Sequence, residues 1–340
     1  MLQDLKELSE LNGVSGDEIR VREYIKKRVK KHATQISEDP YGNLIVRKGP
    51  EKGPRIMLAA HMDEVGLMIT GIEKSGLLRF HAIGMMPNVL MAKRVFIGKD
   101  KVLGVMGHKP IHLAKEEELK KMPKTKDLFI DIGMSSKEDA SKVVQVGDYA
   151  SFGTEYRENG DSVQGKAFDN RIGCFILLRM IMESDLPAFY SFTVQEEVGL
   201  RGARIAANRV KPDVAIAVDT TSSGEWPDDG DTPQYPALGA GAVVTTADRS
   251  VICDEKLVRT IRETAEREKI PYQDKRPMIG GTDAGSMHVA GPGVRSAVIS
   301  VPARYIHSPL SFASRGDILA VEKLLRCSIN NIMGKEREWV

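Results

Sequence analysis

The stretch IMLAAHMDEVG at residues 56–66 decides the fold of this chain. Five apolar residues follow a Gly-Pro turn and lead directly into His61, Asp63 and Glu64. A short apolar run bounded in this way is typical of a buried strand. Because open α/β sheets carry functional groups beyond the carboxyl ends of their strands, we predict that His61 lies in a functional site.

The spacing of His61 and Asp63 favours a metal site. Residues two apart on an extended segment point to the same side. A metal-bound imidazole usually donates its second N–H to a carboxylate, which fixes the orientation of the ring. We therefore predict His61 as a metal ligand and Asp63 as its orienting partner, although a polar loop is the more common origin of such a triplet.

The composition is that of an ordinary globular protein and excludes several classes. The 340 residues are 41% hydrophobic and 28% charged, enough for an α/β core and a second domain. A net charge of +2 gives no indication of nucleic-acid binding, and no apolar stretch approaches the roughly 18 residues of a membrane span. Three widely spaced cysteines argue against a disulfide framework, so we predict a cytoplasmic protein that binds no nucleic acid and no membrane.

The pattern of strands and helices changes along the chain. Residues 66–165 contain short predicted strands separated by turns rich in Gly and Lys, which is typical of a small β-barrel. Strands and helices alternate elsewhere, which is typical of an α/β domain. We predict a mixed, largely parallel sheet flanked by helices, formed by residues 1–66 and 164–340. A small β-barrel-like domain is inserted at residues 67–163.

Two helix starts carry capping signals. Ser15 and Glu18 have the spacing of a capping box, which predicts a helix that runs to about residue 32. Asp254 is the predicted N-cap of a helix at residues 255–269. The segment at residues 172–182 is nearly all apolar and predicts a helix buried in the middle of the α/β domain.

Histidines and carboxylates follow four of the predicted strands. Taken one at a time, a solvated turn, a helix cap or a loop histidine explains each of them. Taken together they converge, because the carboxyl ends of parallel strands meet at one edge of the sheet. Imidazole and carboxylate ligands without a thiolate suit zinc, cobalt or manganese. The residues are His61 with Asp63, Glu196 with Glu197, Asp219, and His307, together with Asp169 at the start of a helix.

Glu196 and Glu197 are adjacent, and neighbours on an extended segment project to opposite sides. One of them is then able to bind a metal while the other faces a water molecule. Two metals about 3.5 to 4 Å apart polarise a carbonyl group and activate a shared water, and a nearby carboxylate moves its proton. This pattern predicts metal-assisted hydrolysis with a pair of cations.

The motifs at these positions resemble those of the tetrahedral aminopeptidase family. They lie at residues 60–66, 166–171, 195–199, 218–219, 280–284 and 305–307, in the family's order and across essentially the whole chain. The family consists of dinuclear metallo-aminopeptidases with a zinc-exopeptidase-like fold. It includes deblocking, leucyl and glutamyl aminopeptidases, and some of its members were once described as cellulases.

The resemblance implies a role for each residue of the set. It implies two divalent ions per subunit, zinc or cobalt with manganese as a third option, and an unusual peptide bond beside the bridging aspartate. It also implies a dodecamer assembled partly through the inserted domain. The implied roles are His61 and Asp219 on one metal, Glu197 and His307 on the other, Asp169 as the bridge, Asp63 as orienting group, Glu196 as general base, and Gly281 and Thr282 near the substrate.

We therefore expect a cytoplasmic metal-dependent aminopeptidase that removes the N-terminal residue from short peptides. A non-catalytic metal-binding scaffold is the first alternative, because a fold does not imply a function. A glycoside hydrolase ranks below it, because it needs two carboxyl groups about 5 to 9.5 Å apart and gives the histidines no role. Leucyl, acidic and basic preferences for the first residue of the substrate all remain open.

Overall fold

The computed structural model describes residues 2–50, 52–225, 236–276 and 278–339. Its helices are α1 (Gln3–Glu10), α2 (Ile19–Val29), α3 (Glu116–Leu119), α4 (Lys137–Ala140), α5 (Phe168–Glu183), α6 (Arg201–Val210), α7 (Glu255–Arg267), α8 (Ala284–Met287) and α9 (Arg315–Gly334). Its strands are β1 (Gln35–Glu38), β2 (Leu44–Lys48), β3 (Ile56–His61), β4 (Gly66–Ile72), β5 (Leu78–Ile83), β6 (Arg94–Ile97), β7 (Val102–His108), β8 (Leu128–Asp131), β9 (Tyr149–Phe152), β10 (Arg157–Asn159), β11 (Ser162–Gly165), β12 (Ala188–Thr193), β13 (Val214–Ser222), β14 (Ala242–Thr245), β15 (Tyr272–Lys275), β16 (Arg295–Arg304) and β17 (Ser311–Ser314).

An 11-stranded sheet forms the body of the described protein. Its strands follow the order β1-β2-β12-β3-β13-β16-β17-β11-β10, and β14 with β15 branches from it at β16. The four central strands β12, β3, β13 and β16 run parallel to one another. Strands β2, β14 and β17 pair with this centre in the antiparallel direction. The predicted mixed sheet with a largely parallel centre is confirmed.

Strand β3 lies in the centre of the sheet, and every one of its residues is buried. Helix α5 packs against β3 and β13, while α6 packs against β12 and β3. A parallel strand that is covered on both faces carries apolar residues in succession rather than in alternation. This burial explains the run of apolar residues that precedes His61.

Helix α5 is apolar and mostly buried, as its sequence predicts. The peptide bond between Asp169 and Asn170 is cis, at the position where the resemblance implies an unusual bond. The Asn170 side chain donates to the Val218 carbonyl at 2.7 Å and accepts from the Gly173 N–H at 3.0 Å. The first bond ties the first turn of α5 to β13, and the second lies within α5 and holds the Asn170 side chain in place, so the two together fix the position of Asp169.

A buried ion pair connects the segment after β3 to the segment before α5. Lys166 Nζ donates to both carboxylate oxygens of Glu64, at 2.7 and 2.8 Å, and each of these side chains is 2% exposed. Arg171 lies behind the pair and donates to the carbonyls of Leu11 and Gly13 at 3.1 and 3.3 Å. Burial lowers the pKa of Lys166 to about 8. Lys166 is therefore still mainly charged at neutral pH.

Six strands form a closed barrel in the order β4-β5-β8-β7-β6-β9. The barrel encloses its own apolar core, which includes Leu67, Ile69, Leu78 and Ile130. The predicted boundary at residues 67–163 groups β10 and the first half of β11 with the barrel. Hydrogen bonds join those two strands to the main sheet instead, through β17.

The predicted capping box at Ser15 is wrong. Helix α2 begins at Ile19, and its N-cap residue Glu18 makes no side-chain capping bond. The Ser15 hydroxyl donates to Asp63 Oδ2 at 2.6 Å, and Glu18 Oε1 accepts from the main-chain N–H of Gln195 at 3.1 Å. Both side chains are therefore used in tertiary contacts. The N-cap predicted at Asp254 is confirmed, since its side chain accepts from the Leu257 N–H.

Two further observations concern the described residues as a whole. None of the helices within them combines the length and the apolar character needed to cross a membrane. The three cysteines, Cys174, Cys253 and Cys327, are all free, and the first two are buried.

Candidate metal centre

Four parallel strands bring the predicted site residues to one edge of the sheet. His61 is the last residue of β3, and Glu196 and Glu197 follow β12 closely. Asp219 is predicted to follow a strand, but it lies within β13, which continues to Ser222. His307 follows β16. Because these strands are neighbours, their carboxyl ends place the five side chains around one pocket.

Asp169 lies between the two histidines. Its Oδ1 is 3.2 Å from His61 Nε2, and its Oδ2 is 3.5 Å from His307 Nε2. Around this centre, Asp219 Oδ1 lies 3.8 Å from His61 Nε2 and Glu197 Oε2 lies 3.5 Å from His307 Nε2. The set therefore divides into a group around each histidine, with Asp169 shared between them.

Both histidines use their two ring nitrogens in the same way. His61 Nδ1 lies 3.1 Å from the main-chain carbonyl of Asp63, and His307 Nδ1 lies 2.8 Å from the carbonyl of Gly84. A carbonyl accepts a hydrogen bond, so each Nδ1 carries a proton. Each Nε2, which donates to Asp169 when it is protonated, would present its lone pair to a bound cation. This is the tautomer that a histidine needs in order to bind a metal through Nε2.

The carboxylate of Asp63 holds the loop that carries the two glutamates. Its Oδ1 accepts from the Glu196 N–H at 3.0 Å, and its Oδ2 accepts from the Glu197 N–H at 3.1 Å and from the Ser15 hydroxyl. The carboxylate is 3.5 Å from His61 Nδ1, farther than the Asp63 carbonyl. Asp63 thus contacts His61 through its main chain and positions Glu196 and Glu197 through its side chain.

The loop after β12 is a turn and not the extended segment that the sequence predicts. The Gly199 and Leu200 N–H groups both donate to the Glu196 carbonyl at 2.9 Å, and Gln195 has a positive φ of 56°. Glu196 and Glu197 nevertheless reach different groups. Glu196 Oε2 lies 4.0 Å from His61 Nε2, whereas Glu197 faces His307.

Three contributors to this region are absent from the sequence-based prediction. Ser15 and Glu18 come from the N-terminal segment, and Gly84 comes from the barrel. The only sequence signal at Ser15 and Glu18 is that polar residues precede a helix, and this pattern equally predicts a helix cap. Gly84 acts through its main-chain carbonyl, so its residue type gives no sequence signal beyond the conformational freedom of glycine.

The pocket concentrates negative charge away from water. Burial raises the pKa of Asp219 well above its ordinary value, and the charge of Asp169 raises it further. Burial also raises the pKa of Glu196 well above its ordinary value and that of Glu197 to about 8. Burial opposes ionisation of Asp169 as well, but hydrogen bonds from the two histidines lower its pKa. A cation in the pocket would stabilise the ionised form of all four groups.

The donor atoms fit such a cation. The ligand atoms of His61, Glu196 and Asp219 lie within 4.8 Å of one another, and so do those of His61, Asp169 and Glu197. Glu197 Oε1 is buried without a hydrogen-bond partner among the residues that the structure describes. A buried carboxylate oxygen needs a partner, and oxygen and imidazole ligands suit zinc, cobalt or manganese.

Gly281 and Thr282, predicted near the substrate, lie in the loop before α8. The Thr282 N–H donates to Ser250 Oγ at 3.2 Å, and its hydroxyl donates to Asp248 Oδ2 at 3.3 Å. The next residue, Asp283, accepts from the hydroxyl of Thr193 at 2.5 Å. Thr193 is paired with His61 across β12 and β3, so this loop is anchored beside the metal-binding edge.

A sequence profile described as M42 glutamyl aminopeptidase matches residues 42–324, a span that contains every predicted metal ligand. The chain belongs to this family. The predicted family and the predicted class of enzyme are confirmed.

Curated relatives match this aminopeptidase over nearly its whole length. A putative aminopeptidase of Acetivibrio thermocellus is 42% identical, and the match covers 96% of this chain and 97% of the relative. The lysyl aminopeptidase of Pyrococcus furiosus is 33% identical and covers 96% of each chain. The glutamyl aminopeptidase of Lactococcus lactis subsp. cremoris is also 33% identical, with 98% of this chain and 96% of the relative covered.

Solved structures of aminopeptidases also match nearly the whole chain. A TET aminopeptidase from the Thaumarchaeota archaeon SCGC AB-539-E09 superimposes with a TM-score of 0.95 at 34% identity, covering 99% of this chain and 98% of the other. The Pyrococcus horikoshii TET1 peptidase, described as assembling into a tetrahedron or a large octahedral shell, has a TM-score of 0.86 at 35% identity and covers 96% and 98%. The protein is a metal-dependent aminopeptidase, and the glycoside hydrolase and the non-catalytic scaffold are not retained.

Proposed function

We propose that this aminopeptidase binds two divalent cations per chain and releases the N-terminal residue of short peptides. His61 and Asp219 hold one cation, His307 and Glu197 hold the other, and Asp169 bridges them. The main support is that the two oxygens of Asp169 face different histidines, at 3.2 and 3.5 Å. A bridging carboxylate in a two-metal site needs this arrangement.

Glu196 is the general base in this proposal. Its Oε2 stands beside the first metal group, 4.0 Å from His61 Nε2. The two cations, when bound, supply the charge that polarises the scissile carbonyl and lowers the pKa of the attacking water. Glu196 Oε2 takes a proton from that water and returns it to the nitrogen of the leaving amine. Burial, which raises the pKa of Glu196, favours retention of the proton between these two steps.

Asp63 acts as a positioning residue for both glutamates. It is fully buried and binds the consecutive N–H groups of Glu196 and Glu197 with its two oxygens. A shift of this loop would move the base and a metal ligand together. Asp63 therefore affects proton transfer and metal binding without touching the substrate.

Two relatives bear on the preference for the first residue of the substrate. Relatives named lysyl and glutamyl aminopeptidase are equally identical to this chain, although their names imply opposite charges. We assign Gly281 and Thr282 to the substrate side of the pocket, with support from the anchoring of their loop through Asp283 and Thr193. For the metal, we propose zinc or cobalt, with manganese as the third ion to be tested.

We propose a dodecameric assembly and a cytoplasmic location. The barrel exposes apolar side chains on β7, with Leu103 52% and Val105 45% exposed, and such surfaces mark sites of association. The shell reported for the Pyrococcus horikoshii relative supports a closed assembly. The three free cysteines support a reducing compartment.

Analytical ultracentrifugation is expected to show one species of about 450 kDa, the mass of twelve chains of 37.5 kDa. Association of the apolar barrel surfaces is the physical reason for this expectation. A monomer or a dimer at micromolar concentration would contradict the dodecamer but not the aminopeptidase activity.

The proposed function is tested with a panel of short peptides that begin with Leu, Lys or Glu. After treatment with a chelator, we expect no release of the first residue, and we expect zinc, cobalt or manganese to restore it. N-acetylated copies of each peptide serve as matched controls and show whether the free amine is required. If folded protein releases no residue from any peptide with any of these metals, the proposed function is wrong.

A further inference from the structure

The barrel makes a direct contact with the metal centre through Gly84. This residue follows β5, the second strand of the barrel. Its carbonyl accepts the Nδ1–H of His307 at 2.8 Å, although the two residues are 223 positions apart in the sequence. The bond orients the imidazole so that Nε2 faces Asp169 and Glu197.

Gly84 also lies against the other ligand of the same group. A Cβ atom at this position would lie 3.1 Å from Glu197 Oε2 and 2.5 Å from Val65 Cγ1. Its φ of +70° is in the left-handed region, which side chains other than glycine rarely adopt. The main chain therefore approaches Val65 and Glu197 as closely as it does because no side chain is present.

The two histidines differ in how firmly they are held. His61 is 2% exposed at the end of a central strand, and the carbonyl that orients it belongs to Asp63, two residues away. The His307 side chain is 45% exposed in a loop where both Tyr305 and His307 have positive φ. An exposed side chain on a loop has more freedom, so the orientation of His307 depends more on its single carbonyl partner.

We propose that Gly84 is a positioning residue for the second metal group, so that the barrel completes the centre formed by His307 and Glu197. This inference rests on the proposed two-metal function. The first group, His61 and Asp219, belongs to the α/β body and does not depend on Gly84. Partners that orient a ligating histidine typically contribute about 10- to 100-fold to metal affinity.

The test measures metal binding to the full chain by equilibrium dialysis and by the visible absorption of bound Co²⁺. Wild-type protein is expected to bind two ions per chain. Gly84→Ala is expected to bind one ion tightly and to lose at least about tenfold in affinity for the second ion. Gly133→Ala is the matched control, since Gly133 lies in the barrel segment, has a φ of +75° and would carry a Cβ with no atom within 4 Å. It is expected to bind both ions like the wild type.

A double-mutant cycle separates positioning from general damage. His307→Ala is expected to weaken binding of the same ion. G84A combined with H307A is expected to lose less affinity than the sum of the two single losses, because only the contact with Glu197 remains to be disturbed. Val65→Ala removes the atom nearest to the added methyl group, so V65A/G84A is expected to recover part of the second-ion affinity. If the G84A variant fails to fold, V65A/G84A is measured in its place.

The outcomes distinguish the inference from the function on which it rests. Wild-type protein that binds fewer than two ions would overturn the proposed function itself. Wild-type protein with two ions, together with a folded G84A variant that also binds two at unchanged affinity, would overturn only the role of Gly84. Equal weakening of both ions by G84A, or additive losses in the cycle with H307A, would also overturn it.

Discussion

Replacement of Glu196 by Gln is expected to lower kcat by about 10²- to 10⁴-fold while the protein keeps both metal ions. Gln has the shape of Glu but is unable to accept a proton from the attacking water. The main-chain N–H of residue 196, which Asp63 binds, is unchanged by this substitution. Steady-state kinetics on the preferred peptide, with the metal content of the same sample, measures both quantities.

Glu197→Gln is the matched control for this prediction, because it makes the same chemical change at the adjacent position. It is expected to weaken the binding of the second metal ion, whereas E196Q is not. A turnover of E196Q close to that of the wild type would remove Glu196 from the role of base. Loss of metal from E196Q would instead show that Glu196 is a ligand.

Replacement of Lys166 by Met is expected to lower the free energy of unfolding by about 3 to 5 kcal/mol. The carboxylate of Glu64 is 2% exposed and accepts from Lys166 with both oxygens. Without Lys166, its nearest charged neighbour is Arg171 at 3.7 Å, which is already bonded to main-chain carbonyls. Urea denaturation followed by circular dichroism measures the change.

Two variants accompany this prediction. Lys120→Met breaks an exposed ion pair with Glu116 and is expected to cost less than about 1 kcal/mol. K166M combined with Glu64→Gln removes the uncompensated charge and is expected to recover more than half of the loss. If K166M is as stable as K120M, the buried pair does not contribute as proposed.

The central strands are predictable because burial on both faces leaves a plain signal. Strand β3 consists of buried residues and matches the predicted position. Strand β13 is predicted too short, because its buried residues Asp219, Thr220 and Thr221 are polar and mimic a strand end. Strands β1 and β15 are not predicted, since they are only partly buried and mainly polar.

The residue types of the candidate site are predictable, but its supports are not. A histidine or a carboxylate after an apolar strand is unusual enough to be noticed, and parallel strands bring such residues together. The division of the ligands between two ions comes from the family resemblance and not from spacing. Ser15, Glu18 and Gly84 support the site through contacts between distant segments, and no local pattern encodes such contacts.

The links between Arg171 and the N-terminal segment also determine an order of events during synthesis. The Leu8 carbonyl accepts from a guanidinium group that lies 163 residues later in the chain. During translation, Leu8 is synthesised early, and its carbonyl has no Arg171 partner until the whole barrel has been translated. The barrel strands pair with one another around their own core, and such units generally fold as they emerge. We therefore expect the barrel to fold before the body that it interrupts, and the candidate metal centre to form last, when His307 reaches the Gly84 carbonyl.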